Sequence, residues 1–263
     1  MFTHQDLIDT INNINKDLIT ESDSKSNSKS FPNPFSYSMT STEKILYCFI
    51  KKSFLNEEYA NASLGFNFIP NVETKKMMIN RMFIDFCADG NTKAFNYALE
   101  NGADINSNNN SSFIAACKNG NLNLVLSLMD AGVTPNLVPK ALIEAALNQQ
   151  KEIITELIKI ELNINANNTE VLRICAAKGL VDMVDFLIQN GASVHALNDR
   201  SLVTATMNGH IDTVRVLLHH GANPNTWNGY CFKIAKEKHY DEIHQMLQDK
   251  KNELDDLDDL DKN

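Results

Sequence analysis

ICAAKGLVDMVDFLIQNGASVHA, residues 174–196, is the stretch that decides the fold. An apolar run with small residues, Cys175, Ala176 and Ala177, stops at Gly179. A second run with Val184 and Leu187 on one helical face stops at Gly191. A glycine just past a helix takes the left-handed conformation that ends it without a Cβ penalty. Two such stops twelve residues apart leave room for a helix of about nine residues between them. The stretch therefore predicts two short antiparallel helices and a reversal.

Working outward, the same pattern returns. Taking Gly179 as the mark, equivalent positions fall at Gly90, Gly120, Gln149, Gly179, Gly209 and His239, in steps of 30, 29, 30, 30 and 30 residues. Twelve after each stand Gly102, Gly132, Glu161, Gly191, Gly221 and Lys251. Seven before each mark stand Phe83, Phe113, Leu142, Leu172, Leu202 and Phe232. Eight after stand Ala98, Leu128, Leu157, Leu187, Leu217 and Leu247. Small residues precede the mark at Ala116–Cys117, Ala145–Ala146, Cys175–Ala176 and Ala205–Thr206, so the first helices are expected to lie close together. Sixteen after come Asn106, Asn136, Asn165, His195 and Asn225, where the chain must turn. No single helix pair can bury its apolar face, so a period of this length predicts stacked units. The third unit, with Gln149 and Glu161 at both glycine positions, is expected to be the least regular.

The strings NGNLNLVLSLMDAGVTPN, KGLVDMVDFLIQNGASVH and NGHIDTVRVLLHHGANPN resemble the ankyrin repeat, over roughly residues 75–250. The resemblance implies an all-α, ankyrin-repeat α-solenoid with a helical N-terminal capping region, and a non-enzymatic module that binds a partner protein on its concave face. The usual Thr-Pro-Leu-His start is absent, and the shortage lies before the first helix, so the projecting fingers are expected to be blunt. This short form is similar to ankyrin proteins of giant DNA viruses of amoebae and of bacteria that live inside amoebae.

The predicted organisation is an amphipathic helix over residues 1–20, a disordered serine-rich linker over 21–40, a helical cap over 41–80, about six repeats over 81–250 and an acidic disordered tail over 251–263. Leu7, Ile11, Ile14 and Leu18 carry the first helix, and ESDSKSNSKSFPNPFSYSMT carries the linker. The tail, NELDDLDDLDKN, holds six acids and one lysine, contributing −5 to a net charge of −9. That balance argues against general nucleic-acid binding. No apolar run reaches the roughly 18–20 residues of a membrane span. The N-terminal segment is polar and does not read as a secretory signal. The five cysteines show no metal spacing; Cys87, Cys117 and Cys175 fall on small buried positions, which predicts a reducing, cytoplasmic setting, in a host cell if the chain is viral or exported.

No phosphate loop, nucleophile elbow or His-Glu-x-x-His helix is present. His219, His220, His239 and His244 do not share one helix face, so no metal and no cofactor are expected. Cys48 with His4 is the one nucleophile–base combination before the repeats, and the linker separates them. An F-box opening does not emerge from residues 31–70.

Carried over from the ankyrin resemblance, the concave face comprises finger tips and the residues just before each first-helix mark. Those positions are Asn108, Asn109, Asn167, Asn168, Asn198, Asp199, Arg200 and Trp227 at tips, and Lys118, Asn119, Lys178, Met207 and Asn208 on helices. Leu137–Val138, Leu147–Asn148, Ala177 and Asn228 complete the set. Arg200, Met207 and Trp227 form the preferred patch, because exposed tryptophan and arginine are enriched among binding hot spots. The opposing reading folds Trp227 over the last unit as part of its cap. The chain is expected to be a monomer that binds protein. Two alternatives stay open: an adaptor whose N-terminal region recruits a second partner, such as a ubiquitin-ligase component or a host factor, and an enzyme with a cryptic N-terminal site.

Overall fold

A computed structural model describes residues 41–55, 62, 65–67, 69, 71–133, 138–159 and 164–260. The predicted helix over 1–20 and linker over 21–40 lie outside the described residues, as do Asn136, Leu137 and Glu161. Every regular element among the described residues is a helix. The chain divides into two compact units, Met1–Ser107 and Asn108–Asn263.

The first unit contains α1 (Ser41–Leu55), α2 (Val72–Asp89) and α3 (Thr92–Glu100). Asn71 starts α2 by accepting the Glu73 and Thr74 N–H groups on its side chain, and left-handed Gly90 (φ 75°) ends it. The helix runs unbroken across residues 80 and 81. Its apolar face simply continues from Met78 and Ile79 to Phe86 and Cys87, with no glycine or proline to divide it. Aromatic rings fill this unit. Phe54 meets Phe86 at 4.7 Å and Tyr97 at 4.9 Å between centroids, while Phe83 stacks on Phe95 at 5.2 Å. Asp85 accepts the Tyr47 hydroxyl and the Lys51 ammonium, each at 2.7 Å.

The second unit holds five helix pairs. They are α4 (Ser107–Asn119) with α5 (Leu122–Asp130), α6 (Val138–Leu147) with α7 (Lys151–Lys159), α8 (Ala166–Lys178) with α9 (Val181–Gln189), α10 (Ala196–Met207) with α11 (Ile211–His219), and α12 (Thr226–Glu237) with α13 (Asp241–Leu260). First helices pack in a row, α6 on α8 on α10 on α12. Second helices form another layer, α5 on α7 and α9 on α11 on α13. The core lies between the layers, where Leu172, Leu187, Leu202 and Leu217 are fully buried. The small residues do what their size allows: Ala145, Ala146, Cys175, Ala176, Ala205 and Thr206 are all buried where first helices meet.

The mark has a second duty besides ending a helix. At Gly179 an added Cβ would lie 2.7 Å from the His210 ring of the next pair, and at Gly209 it would lie 2.8 Å from Tyr240. His210 packs there because its Nε2 reaches the Ala177 carbonyl at 3.0 Å. Gln149, expected to be irregular, adopts the same left-handed turn (φ 60°), with Gln149 N–H on Ala146 O and Gln150 N–H on Ala145 O. His239 does likewise at φ 56°. The same left-handed turn therefore forms even where the residue does not favour it.

The acidic tail is a correction. Residues 251–260 were expected to be disordered, yet α13 continues through Leu260. Ile243 and Leu247 bury its first turns, and Gln245–Asp249, Gln248–Asn252 and Lys250–Glu253 contacts at 2.8, 3.0 and 2.9 Å support it as far as residue 253. No glycine or proline interrupts the run.

Burial also fixes the cysteines. It pushes the Cys117 and Cys175 thiols up to about 12 and Cys231 up to about 11, and raises Cys87 as well. Iodoacetamide at mildly alkaline pH should leave these four unlabelled in the folded chain and label them once urea unfolds it. Peptide mass spectrometry reads the outcome; labelling of Cys175 at the rate of a free peptide thiol would contradict the packing.

Candidate functional site

Asparagine builds the edges of the repeats in two ways. Just before a turn, Asn101, Asn119, Asn148, Asn190 and Asn208 each donate a side-chain N–H to the carbonyl four residues earlier, at 2.8–3.0 Å. These amides satisfy carbonyls that the helix end would otherwise leave open. Asn119 and Asn208, expected on the binding face, are exposed but carry this structural duty; Asn208 also reaches Ala177 O at 3.2 Å in the preceding pair.

At the start of first helices the chain makes a left-handed turn. Asn108, Asn109 and Asn110 have φ of 50°, 57° and 58°. Leu197, Asn198 and Asp199 have φ of 51°, 54° and 55°, and Trp227, Asn228 and Gly229 have 53°, 55° and 71°. Asn167 and Thr169 take the same region. Left-handed backbone costs roughly 1–2 kcal/mol per ordinary residue, and least for Asn, Asp and Gly, which is why those types dominate the turns. Leu197, Trp227 and the β-branched Thr169 are exceptions, and the turn at Trp227 is tied to the preceding pair. Asn198 shows how: its carbonyl accepts the Thr226 hydroxyl at 2.6 Å and the Trp227 Nε1–H at 2.8 Å.

The turns of α8, α10 and α12 border an open groove of about 590 Å³ lined by Arg173, Leu197, Asn198, Arg200 and Trp227. The Arg200 guanidinium lies over the Trp227 ring, 4.9 Å from its centroid. Trp227 stays 48% exposed and Leu197 49%, so two large apolar side chains face water here. The ring leans back on the preceding pair and remains half open.

Not every expected residue joins this groove. Asp199 is the clear correction: it is buried, with Oδ1 accepting the Asn223 N–H at 3.2 Å and lying 2.9 Å from His195 Nδ1. A buried carboxylate must be paired with donors, and Asp199 spends its acceptors tying one turn to the next. Met207 is exposed but does not line the groove; its carbonyl accepts the Lys238 ammonium at 2.6 Å. Asn108, Asn109 and Lys178 are exposed, and Asn167 donates to Glu170 at 3.2 Å. Lys118 reaches Glu144 at 4.0 Å. Asn168 falls within α8, and its side chain lies outside the described residues. Sequence reading missed Arg173 and Leu197. Leu197 carried a signal: an apolar residue immediately before the recurring asparagine at 198, matching Trp227 before Asn228 thirty positions on.

Among the described residues, no three His, Cys, Asp or Glu side chains come together as a metal set, and no helix is long and apolar enough to cross a membrane. His219 and His220 do meet edge to face at 5.5 Å, and His220 Nε2 lies 2.7 Å from Asp185, joining α11 to α9.

Residues 113–198 and 142–228 match the family model described as ankyrin repeats in three copies, a model of a repeat rather than of a catalytic domain. Among solved structures, the chain is similar to the human ASB11 ankyrin repeat domain, with 20% identity and a TM-score of 0.58, over 76% of this chain and 96% of that one. It is also similar to an ankyrin repeat domain from Acinetobacter baumannii, with 20% identity and a TM-score of 0.53, over 64% of this chain and 97% of that one. At this identity the likeness is one of fold. No curated protein matches the sequence.

Proposed function

Because residues 113–228 belong to the ankyrin-repeat family, whose arrays generally serve as protein-binding modules, we propose that this chain is a non-catalytic module that captures a partner protein on its first-helix edge. The grip centres on the turns of α10 and α12. The observation that supports this is the groove in which Arg200 and Trp227 lie together, half open, beside exposed Leu197. Arginine and tryptophan supply large contact areas, and a rigid stack presents them with little ordering left to do on binding.

Both side chains can be removed without touching the core. Trp227 is half exposed at a left-handed position, where asparagine fits the backbone better than tryptophan does. The double variant Arg200→Gln with Trp227→Asn should keep its melting temperature and lose captured protein at least about tenfold, since two central contacts of 1–2 kcal/mol each are removed. Affinity capture followed by quantitative mass spectrometry measures this. A control, Glu242→Gln on the outer face of α13, should capture as the unaltered chain does. Undiminished capture by the double variant would remove this groove from the reading.

A further inference from the structure

The groove has a charge that the rest of the molecule does not share. The chain carries −9 overall, yet two of the five groove residues are arginines and none is an acid. The chain's four arginines also differ in how they are satisfied. Arg81 pairs with Asp85, Arg173 with Glu170 at 3.7 Å, and Arg215 with Asp212 and Glu242. Arg200 pairs with no carboxylate among the described residues; it rests on the Trp227 ring. A guanidinium stacked on an indole still has its in-plane N–H fork to offer, and that fork matches a carboxylate. Beside it, Leu197 and the ring itself present exposed apolar surface.

We propose that the groove takes a peptide segment of a partner protein in which an aspartate or glutamate stands next to a leucine-like side chain. The carboxylate is held by Arg200, with Arg173, already offset by Glu170, contributing less, and the apolar side chain covers Leu197 and Trp227. A phosphate backbone is a poorer match, because two cations on an otherwise acidic chain offer no continuing track for it. This inference rests on the groove being a protein-binding site, and the two ideas fail separately.

Trp227 is the only tryptophan, so its emission reports groove occupancy in the intact chain. A peptide of the required chemistry is NELDDLDDLDKN, the sequence of residues 252–263, and its control replaces every Asp and Glu by Asn and Gln. The acidic peptide should shift Trp227 emission saturably, and added salt should weaken it. The neutral peptide should not shift it. Arg200→Gln should weaken the acidic peptide about tenfold or more, and Arg173→Gln should weaken it less, both with unchanged melting temperature. Equal response to both peptides would overturn the carboxylate while leaving the groove a protein-binding site. Silence to both would overturn the proposal, and the capture experiment would then decide the groove independently. Sedimentation of the intact chain separates the source. A monomer supports a foreign segment. Self-association that is lost on changing the aspartates of 255–261 to asparagine would make the occupant a second copy's tail and overturn the assignment to a partner.

Discussion

Gly179→Ala should destabilise the second unit by about 2–4 kcal/mol, whereas Gly191→Ala, twelve residues on, should cost only about 1–2 kcal/mol. Both glycines are left-handed, at φ 69° and 96°, so both alanines meet the same intrinsic backbone penalty. They differ in what lies nearby. At Gly191 nothing comes within 4 Å of an added Cβ. At Gly179 the new methyl would fall 2.7 Å from His210 Nδ1 and 2.9 Å from its Cγ. The ring cannot swing away freely, because its Nε2 is engaged with Ala177 O. Displacing it breaks the bond that joins α8 to the start of α11. Urea denaturation followed by circular dichroism compares the two midpoints at matched slope. Equal midpoint shifts would mean that the close approach of His210 contributes nothing.

Leu187→Ala should lower stability by about 2–5 kcal/mol, the range for a buried leucine whose cavity cannot collapse. Leu187 is fully buried at the centre of α9, which packs on both α8 and α11. Two neighbouring elements hold the walls of the cavity apart. In a stacked array the loss is also shared, since each pair is stabilised mainly by its interfaces with the next. Leu126→Ala is the internal control. It is 37% exposed on α5 and should change stability by less than about 0.5 kcal/mol. Thermal melts of both variants settle the matter: a Leu187 variant that melts with the unaltered chain would show that the two layers do not share one core.

The two predictions differ in how far the sequence anticipates them. Leu187 is readable from spacing alone, because Val184 and Leu187 repeat at thirty-residue intervals on one helical face. Gly179 is readable as a helix stop. Its second role, receiving the His210 ring, is not, since nothing local to Gly179 indicates which residue of the next pair will arrive there. Gln149 shows the limit from the other side. Its side chain argues for irregularity, yet the backbone turns as if it were glycine. The tail misled for a related reason. Composition suggested a solvated end, but a helix already anchored by Ile243 and Leu247 needs no new nucleus to extend, and elongation is the inexpensive step.

At the candidate site the division is sharper. Arg200 and Trp227 could be picked out as hot-spot residue types on tips, but Asp199, between Asn198 and Arg200, looked equally exposed. Its carboxylate is instead taken up by Asn223, twenty-four residues away. Arg173 carries no local mark of belonging to the same groove.

By itself the sequence determined the helix pairs, their period, the faces they bury and the glycine stops within the repeats. Those properties depend on side-chain spacing and on local backbone preference, which any short window contains. Only the tertiary structure decided which tip residues point inward as ties, which arginine lacks a carboxylate among the described residues, and which side chains from three successive pairs converge on one groove. Residues some thirty apart meet only once the pairs are stacked, and the rise and rotation of that stacking are properties of the packed interfaces, not of any one repeat.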